Sequence, residues 1–106
     1  MSDVLEKTGY VYILASDVAG TLYLGVTSDP VVRIARHKQG ETGGFVAKYG
    51  VQRLVYLEAC GSMDAAIERE KKLKKWRRAW KIALIEEKNS KWADLYPELL
   101  RRETGG

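Results

Sequence analysis

The hydrophobic and polar positions along the chain change period several times, and each change marks an element. Tyr10-Val11-Tyr12-Ile13-Leu14 is rich in β-branched and aromatic residues and reads as a strand. Ser16 to Gly20 reads as a turn, and Thr21-Leu22-Tyr23-Leu24-Gly25-Val26 as a second strand, so the two form an antiparallel hairpin. Strand side chains alternate faces, which puts Tyr10 with Tyr12, and Tyr23 with Gly25. Ser28 or Asp29 followed by Pro30 is a helix start, and that helix runs to about Lys38. The glycine-rich stretch from Gln39 to Gly50 is a loop of a length that often carries function. Gln52 to Glu58 is a third strand. Ser62 caps a long helical stretch that continues toward Glu87, with a break near Lys75–Arg78. From Asn89 onward, Trp92, Leu95, Tyr96 and Leu99 are spaced to dock one more short element on the core. The order β-β-α-β-α-α predicts an α+β fold, with helices flanking a small three-stranded antiparallel or mixed sheet.

A chain of 106 residues fits one domain with one modest core. The expected division is a loose N-terminus over 1–8, the domain over 9–96 and a C-terminal tail over 97–106. No apolar run approaches the roughly 20 residues of a membrane span. The first residues, Met1 to Lys7, show neither the basic nor the apolar region of a signal peptide. The single cysteine, Cys60, has no internal partner, which points to a reducing, cytoplasmic setting. One cysteine and one histidine exclude a Cys/His zinc site built by one chain. Any metal must be held mainly by oxygen, which favours a hard ion such as magnesium or manganese.

The net charge is +4, but its distribution is more telling. Arg69, Lys71, Lys72, Lys74, Lys75, Arg77, Arg78 and Lys81 crowd into one stretch, while the residues before it are balanced. Such a field fits a surface that meets phosphates, and equally a solvated helix face. Within the same stretch, Met63, Ala66, Ile67 and Leu73 follow the helical period and define a buried stripe. Glu70 falls in that stripe. A carboxylate there must be paired, protonated or metal-bound, so it is either a salt bridge at the core's edge or a metal ligand. Arg33 and His37, four residues apart, share one helix face: a planar cationic fork and a group that titrates near neutrality. Gly25, inside a strand, marks a close approach by another backbone or a ligand.

Taken together, Tyr10-Val11-Tyr12, Tyr23-Leu24-Gly25, Arg33, His37 and an Ala66-x-x-x-Glu70 pair are spaced as in the GIY-YIG nuclease superfamily. The segments YVYILAS, LYLGVTSD, RIARHKQG, KYGVQRLVYLE and REKKLKKWRRAWKIALIE resemble its small single-domain bacterial branch, the UPF0213-like proteins, over roughly residues 9–96. Tyr10 stands where the first motif has glycine, and Val11 and Leu24 where the motifs have isoleucine. These are backbone and packing positions.

The resemblance implies a GIY-YIG fold and a divalent-metal-dependent endonuclease acting on DNA, with a family tendency toward structured or damaged DNA in repair or recombination. By the same resemblance Glu70 would hold Mg2+ or Mn2+, and Arg33 would stabilise the transition state. Tyr12 or Tyr23 would activate water, and His37 would position water or Tyr12. An unperturbed tyrosine titrates near 10, so a phenolate base needs the metal or Arg33 to favour it. Lys48 and Tyr49 on the loop, with Lys71, Lys74, Lys75, Arg77 and Arg78, would carry the nucleic-acid backbone. Asn89, the only asparagine in the chain, is a weaker candidate for a residue near the scissile phosphate. The rival reading is a non-catalytic nucleic-acid-binding module of the same fold, and what separates the two is a carboxylate at Glu70. The expected partner is nucleic acid, chiefly DNA, with no membrane, in a monomer or weak dimer.

Overall fold

The computed structural model describes residues 8–41 and 50–104. Three strands, β1 (Gly9–Ala15), β2 (Leu22–Thr27) and β3 (Arg53–Cys60), form one antiparallel sheet in the order β2-β1-β3. β1 is therefore the central strand, and Val11 to Ala15 are buried on both faces, as its unbroken apolar run requires. The hairpin register pairs Tyr12 with Gly25 and Leu14 with Tyr23. The turn between them is pinned by Ser16, whose backbone N–H reaches Thr21 O at 3.0 Å and whose Oγ accepts from Thr21 N at 2.9 Å. A register shift between Ile13 and Leu14 separates the two halves of the β1–β3 ladder.

Four helices cover the sheet: α1 (Pro30–Lys38), α2 (Met63–Lys75), α3 (Arg78–Lys88) and α4 (Tyr96–Thr104). On one face Val11, Ile13 and Ala15 pack with Ala66 and Leu73 of α2, Ile85 of α3 and Trp92. On the other, Tyr12 and Leu14 pack with Ile34 of α1, Val51, Leu54 and Leu99 of α4. The helix starts follow capping chemistry. Asp29 accepts from Val32 N at 3.3 Å ahead of Pro30, and Ser62 accepts from Ala65 N at 3.1 Å. α2 sits so close to the start of β1 that a Cβ on Gly9 would lie 2.6 Å from Ser62 O and 2.8 Å from the Ala66 Cβ.

Three sequence expectations change in detail. β3 runs two residues past Glu58, to Cys60. Residues 97–104 are not a tail: they belong to α4, whose Leu99 is only 9% exposed and sits in the core beneath α1. On α2 the buried stripe is Ala66 and Leu73, with Met63 and Glu70 half-buried, whereas Ile67 turns to solvent. Ala66, Glu70 and Leu73 are spaced by four and three and share one face, whereas Ile67, one residue after Ala66, is turned about 100° away onto the outer flank.

Candidate active site

The hairpin and α1 bring four of the expected residues together. Tyr12, 2% exposed, points from the central strand toward α1, and its Oη lies 2.9 Å from His37 Nε2. Tyr23 closes the group, its ring centroid 6.4 Å from that of Tyr12 and 5.4 Å edge-on from that of His37. Arg33, exposed one turn before His37 on α1, supplies the nearby cation. Gly25 explains how the ring fits. It faces Tyr12 across the ladder, and a Cβ there would lie 2.5 Å from the phenol Cζ and 3.0 Å from Cε1. The close approach expected at this glycine is made by a side chain, the Tyr12 phenol, rather than by a backbone or ligand.

Burial sets the protonation states. Desolvation, with Tyr23 and Glu70 adding to it, raises the Tyr12 pKa well above the usual phenol value, and Arg33 opposes this without cancelling it. Tyr12 is therefore a neutral phenol at rest. Desolvation and the Arg33 charge both push His37 below its ordinary 6.5, so its imidazole is neutral at physiological pH. The pair is a neutral phenol against a neutral imidazole, with one proton between oxygen and nitrogen.

Glu70 comes from α2, on the opposite face of the sheet. α2 packs against both β1 and β2, so its carboxylate is within electrostatic reach of Tyr12. Its side chain is 15% exposed and pairs with Lys74 at 3.2 Å, on a residue that is itself 57% exposed. Among the described residues no three His, Cys, Asp or Glu side chains gather as a metal cage. One partly buried carboxylate still fits a hydrated magnesium or manganese ion, which usually takes one or two carboxylates and fills its other positions with water and phosphate oxygen.

The basic stretch divides by use. Arg69 is turned inward, its Nε 3.0 Å from Glu58 Oε2 and its guanidinium 5.5 Å from the Trp76 ring centroid. Against burial, hydrogen bonds from Tyr56 and Arg69 hold Glu58 below the usual carboxylate range, while burial and Glu58 push Tyr56 up to about 12. Arg78, expected on the nucleic-acid face, instead donates to Ala19 O and Gly20 O at 2.5 and 2.7 Å and ties α3 to the hairpin turn. Lys74 is taken by Glu70. Lys71, Lys75 and Arg77 remain exposed. Lys48 and Tyr49 lie outside the described residues.

Asn89 is corrected. It ends α3, 9% exposed, and its amide is used on the backbone. Nδ2 donates to Val55 O at 3.1 Å and Ala93 O at 2.9 Å, and Oδ1 accepts from Ala93 N at 3.0 Å. These contacts shape the turn in which Trp92 adopts φ 57°, and they leave the side chain no part in the tyrosine–histidine group. Sequence reasoning also missed Asp94, which accepts from Lys38 Nζ at 2.6 Å, Leu54 N at 3.1 Å and Tyr96 N at 3.1 Å. It thereby fixes α1 to β3 and α4. Its place two residues before Tyr96, where an aspartate can close an Asx turn on the backbone two residues on, was the available signal.

The chain belongs to the GIY-YIG nuclease family: residues 8–83, from the start of β1 into α3, match the GIY-YIG catalytic domain. Within it the similarity is to the small UPF0213 proteins. A UPF0213 protein of Syntrophus aciditrophicus is 41% identical over 83 residues, covering 74% of this chain and 90% of that one. Another, from Aeromonas salmonicida, is 33% identical over 81 residues, covering 76% of this chain and 59% of that one. The matches span about two thirds or less of the length of several such relatives. The solution NMR structure of a UPF0213 protein from Bacillus halodurans superposes with a TM-score of 0.52 at 31% identity, covering 82% of this chain and 92% of that one. The three-stranded antiparallel sheet with four helices matches that fold. Among the described residues no helix is long and apolar enough to cross a membrane.

Proposed function

We propose that this protein is a divalent-metal-dependent endonuclease that hydrolyses phosphodiester bonds in DNA. The observation that carries the reading is the buried Tyr12–His37 hydrogen bond, with Arg33 one turn away and the Glu70 carboxylate of α2 within electrostatic reach of Tyr12. A structural tyrosine needs no titratable partner. Here the phenol is aimed at an imidazole that burial keeps neutral and able to accept a proton.

A magnesium or manganese ion on Glu70 would supply charge neutralisation at the phosphate and the leaving oxygen. The chain's own groups do the rest. Tyr12 takes a proton from the attacking water as its own passes to His37 Nε2, so no free phenolate is needed. This requires the His37 tautomer with its proton on Nδ1. Arg33 binds the phosphate through its planar fork. A phosphate on Arg33 also offsets the cation that depresses His37, so substrate binding raises the basicity of the proton acceptor. Tyr23 packs edge-on to His37 and holds the ring in line. Lys71 and Lys75 carry the flanking backbone.

The test is cleavage of DNA by purified protein with and without magnesium or manganese, beside Glu70→Ala and Arg33→Ala variants. Each variant is expected to lose about 100-fold or more in rate. Cleavage that survives both substitutions overturns the assignment. Salt-dependent binding with no cleavage under any metal supports the binding-module reading instead.

A further inference from the structure

The helical break between α2 and α3 exposes the Trp80 ring beside Trp76 and Leu84, which pack their other sides on the core, and the proposed catalytic group does not use this surface. Trp80, in the first turn of α3, is 52% exposed, although the core-facing residue of that helix is Ile85. Trp76 meets it edge-on with ring centroids 6.1 Å apart, and the Arg77 guanidinium lies 5.1 Å from the Trp80 ring centroid. Trp76, Trp80, Ala83, Leu84 and Glu87 line a shallow open groove of about 270 Å³. Its floor is aromatic and aliphatic, its α2 end is cationic, and its far end carries the Glu87 carboxylate.

We propose that this elbow binds an unpaired nucleotide, with the base stacked on Trp80 and the adjoining phosphates on Arg77, Lys75 and Lys71, so that the protein prefers nucleic acid with a single-stranded segment over blunt duplex. The proposal rests on the nucleic-acid reading above and names its substrate class. Within a duplex, both faces of a base are already stacked, so an exposed indole has nothing to receive. An unpaired base offers a free face of any sequence. Glu87 excludes a phosphate from the far end of the groove, so the flat neutral ring and not the backbone fits there. Lys71 and Lys75 carry no ion pair among the described residues and lie on α2 between Glu70 and the elbow. Lys75 is about 7.5 Å along the helix axis from Glu70 and about 140° round it, so a strand that meets both wraps the helix by way of Lys71. Arg78, held by the Ala19 and Gly20 carbonyls, keeps the elbow in a fixed place against the hairpin.

The experiment is fluorescence anisotropy with a labelled blunt duplex and the same duplex carrying a short unpaired tail, in EDTA so that nothing is cut. Wild type is expected to bind the tailed duplex about 5- to 150-fold more tightly, the range for stacking one base on an aromatic side chain. Trp80→Ala is expected to reduce that ratio to about one, and Trp80→Phe to retain much of it. Lys75→Ala weakens both duplexes alike. Equal ratios in wild type and Trp80→Ala, or no preference in wild type, overturn the proposal while leaving Glu70-dependent cleavage untouched. Binding of neither duplex removes the nucleic-acid reading and the proposal with it. Self-association of wild type that Trp80→Ala abolishes, with the duplex ratio unchanged, overturns it in favour of a second copy.

Discussion

Replacing Gly25 with alanine adds one methyl group at the point where the fold is closest to the proposed chemistry. Gly25 has no positive φ, so alanine is free of backbone strain and the effect is purely steric. The new Cβ would meet the Tyr12 hydroxyl, its Cζ at 2.5 Å and Cε1 at 3.0 Å, where carbon atoms settle at about 3.5–4.0 Å. Tyr12 is 2% exposed, so its ring has little room and must shift by about 1 Å. A hydrogen bond of 2.9 Å to His37 is then carried past the useful limit of roughly 3.5 Å. Overpacking destabilises by about 1–3 kcal/mol, and replacing a strand glycine returns about 0.5–1 kcal/mol, so the net loss of stability is roughly 0–2.5 kcal/mol. Displacing a reacting group by that distance lowers the rate by about 100-fold. The expected signature is therefore a split, with a small shift in urea midpoint and a large fall in DNA cleavage rate measured on folded protein. Gly25→Ala protein that cuts DNA at the wild-type rate refutes the placing of the Tyr12–His37 pair in the reaction.

Asn89→Ala leaves the Val55 and Ala93 backbone groups without their partner; it should destabilise by about 1–3 kcal/mol in urea unfolding while folded protein cuts DNA normally. Trp92→Ala, at a fully buried residue whose Nε1 donates to Glu86 at 2.7 Å, should lose about 3–5 kcal/mol by the same assay. Acid should weaken the fold in two stages, read as Tm against pH. His37 has a folded pKa below 6.5, so the unfolded chain binds more protons and stability begins to fall as pH drops below that value. Against burial, hydrogen bonds from Lys38, Tyr96 N and Leu54 N hold Asp94 below its ordinary 3.8. Its contribution is present above that pH and lost as pH falls through the folded value. His37→Gln should remove the first stage, and Asp94→Asn should weaken the second.

The local elements were legible because each rests on short-range chemistry. The β-branched and aromatic run of β1, Asp29 before Pro30, and Ser62 before α2 act within a turn or a strand and need no distant partner. α4 was only half legible: its apolar positions were visible, but its end depends on Leu99 finding the core under α1, a contact between residues far apart in sequence. The basic stretch reads as one field in sequence. Folding divides it, because Arg69 finds Glu58 on β3, and Arg78 finds two carbonyls in a turn 58 and 59 residues away.

The sequence by itself determined the order of strands and helices and the residue types available for the site. With one cysteine and one histidine, it also left mainly oxygen ligands for any metal, and its spaced motifs resemble those of the GIY-YIG family. Tertiary structure decided which of those residues meet. It set Tyr12 against His37 in a space that only Gly25 leaves open, and it brought Glu70 within reach from the other face of the sheet. It also spent Asn89 on a turn. The physical reason is that protonation and pairing depend on burial and on partners distant in the chain. The packed sheet and α1 exclude water from Tyr12 and push its phenol above the ordinary value, and burial beside Arg33 lowers His37, shifts that no local pattern around either residue encodes.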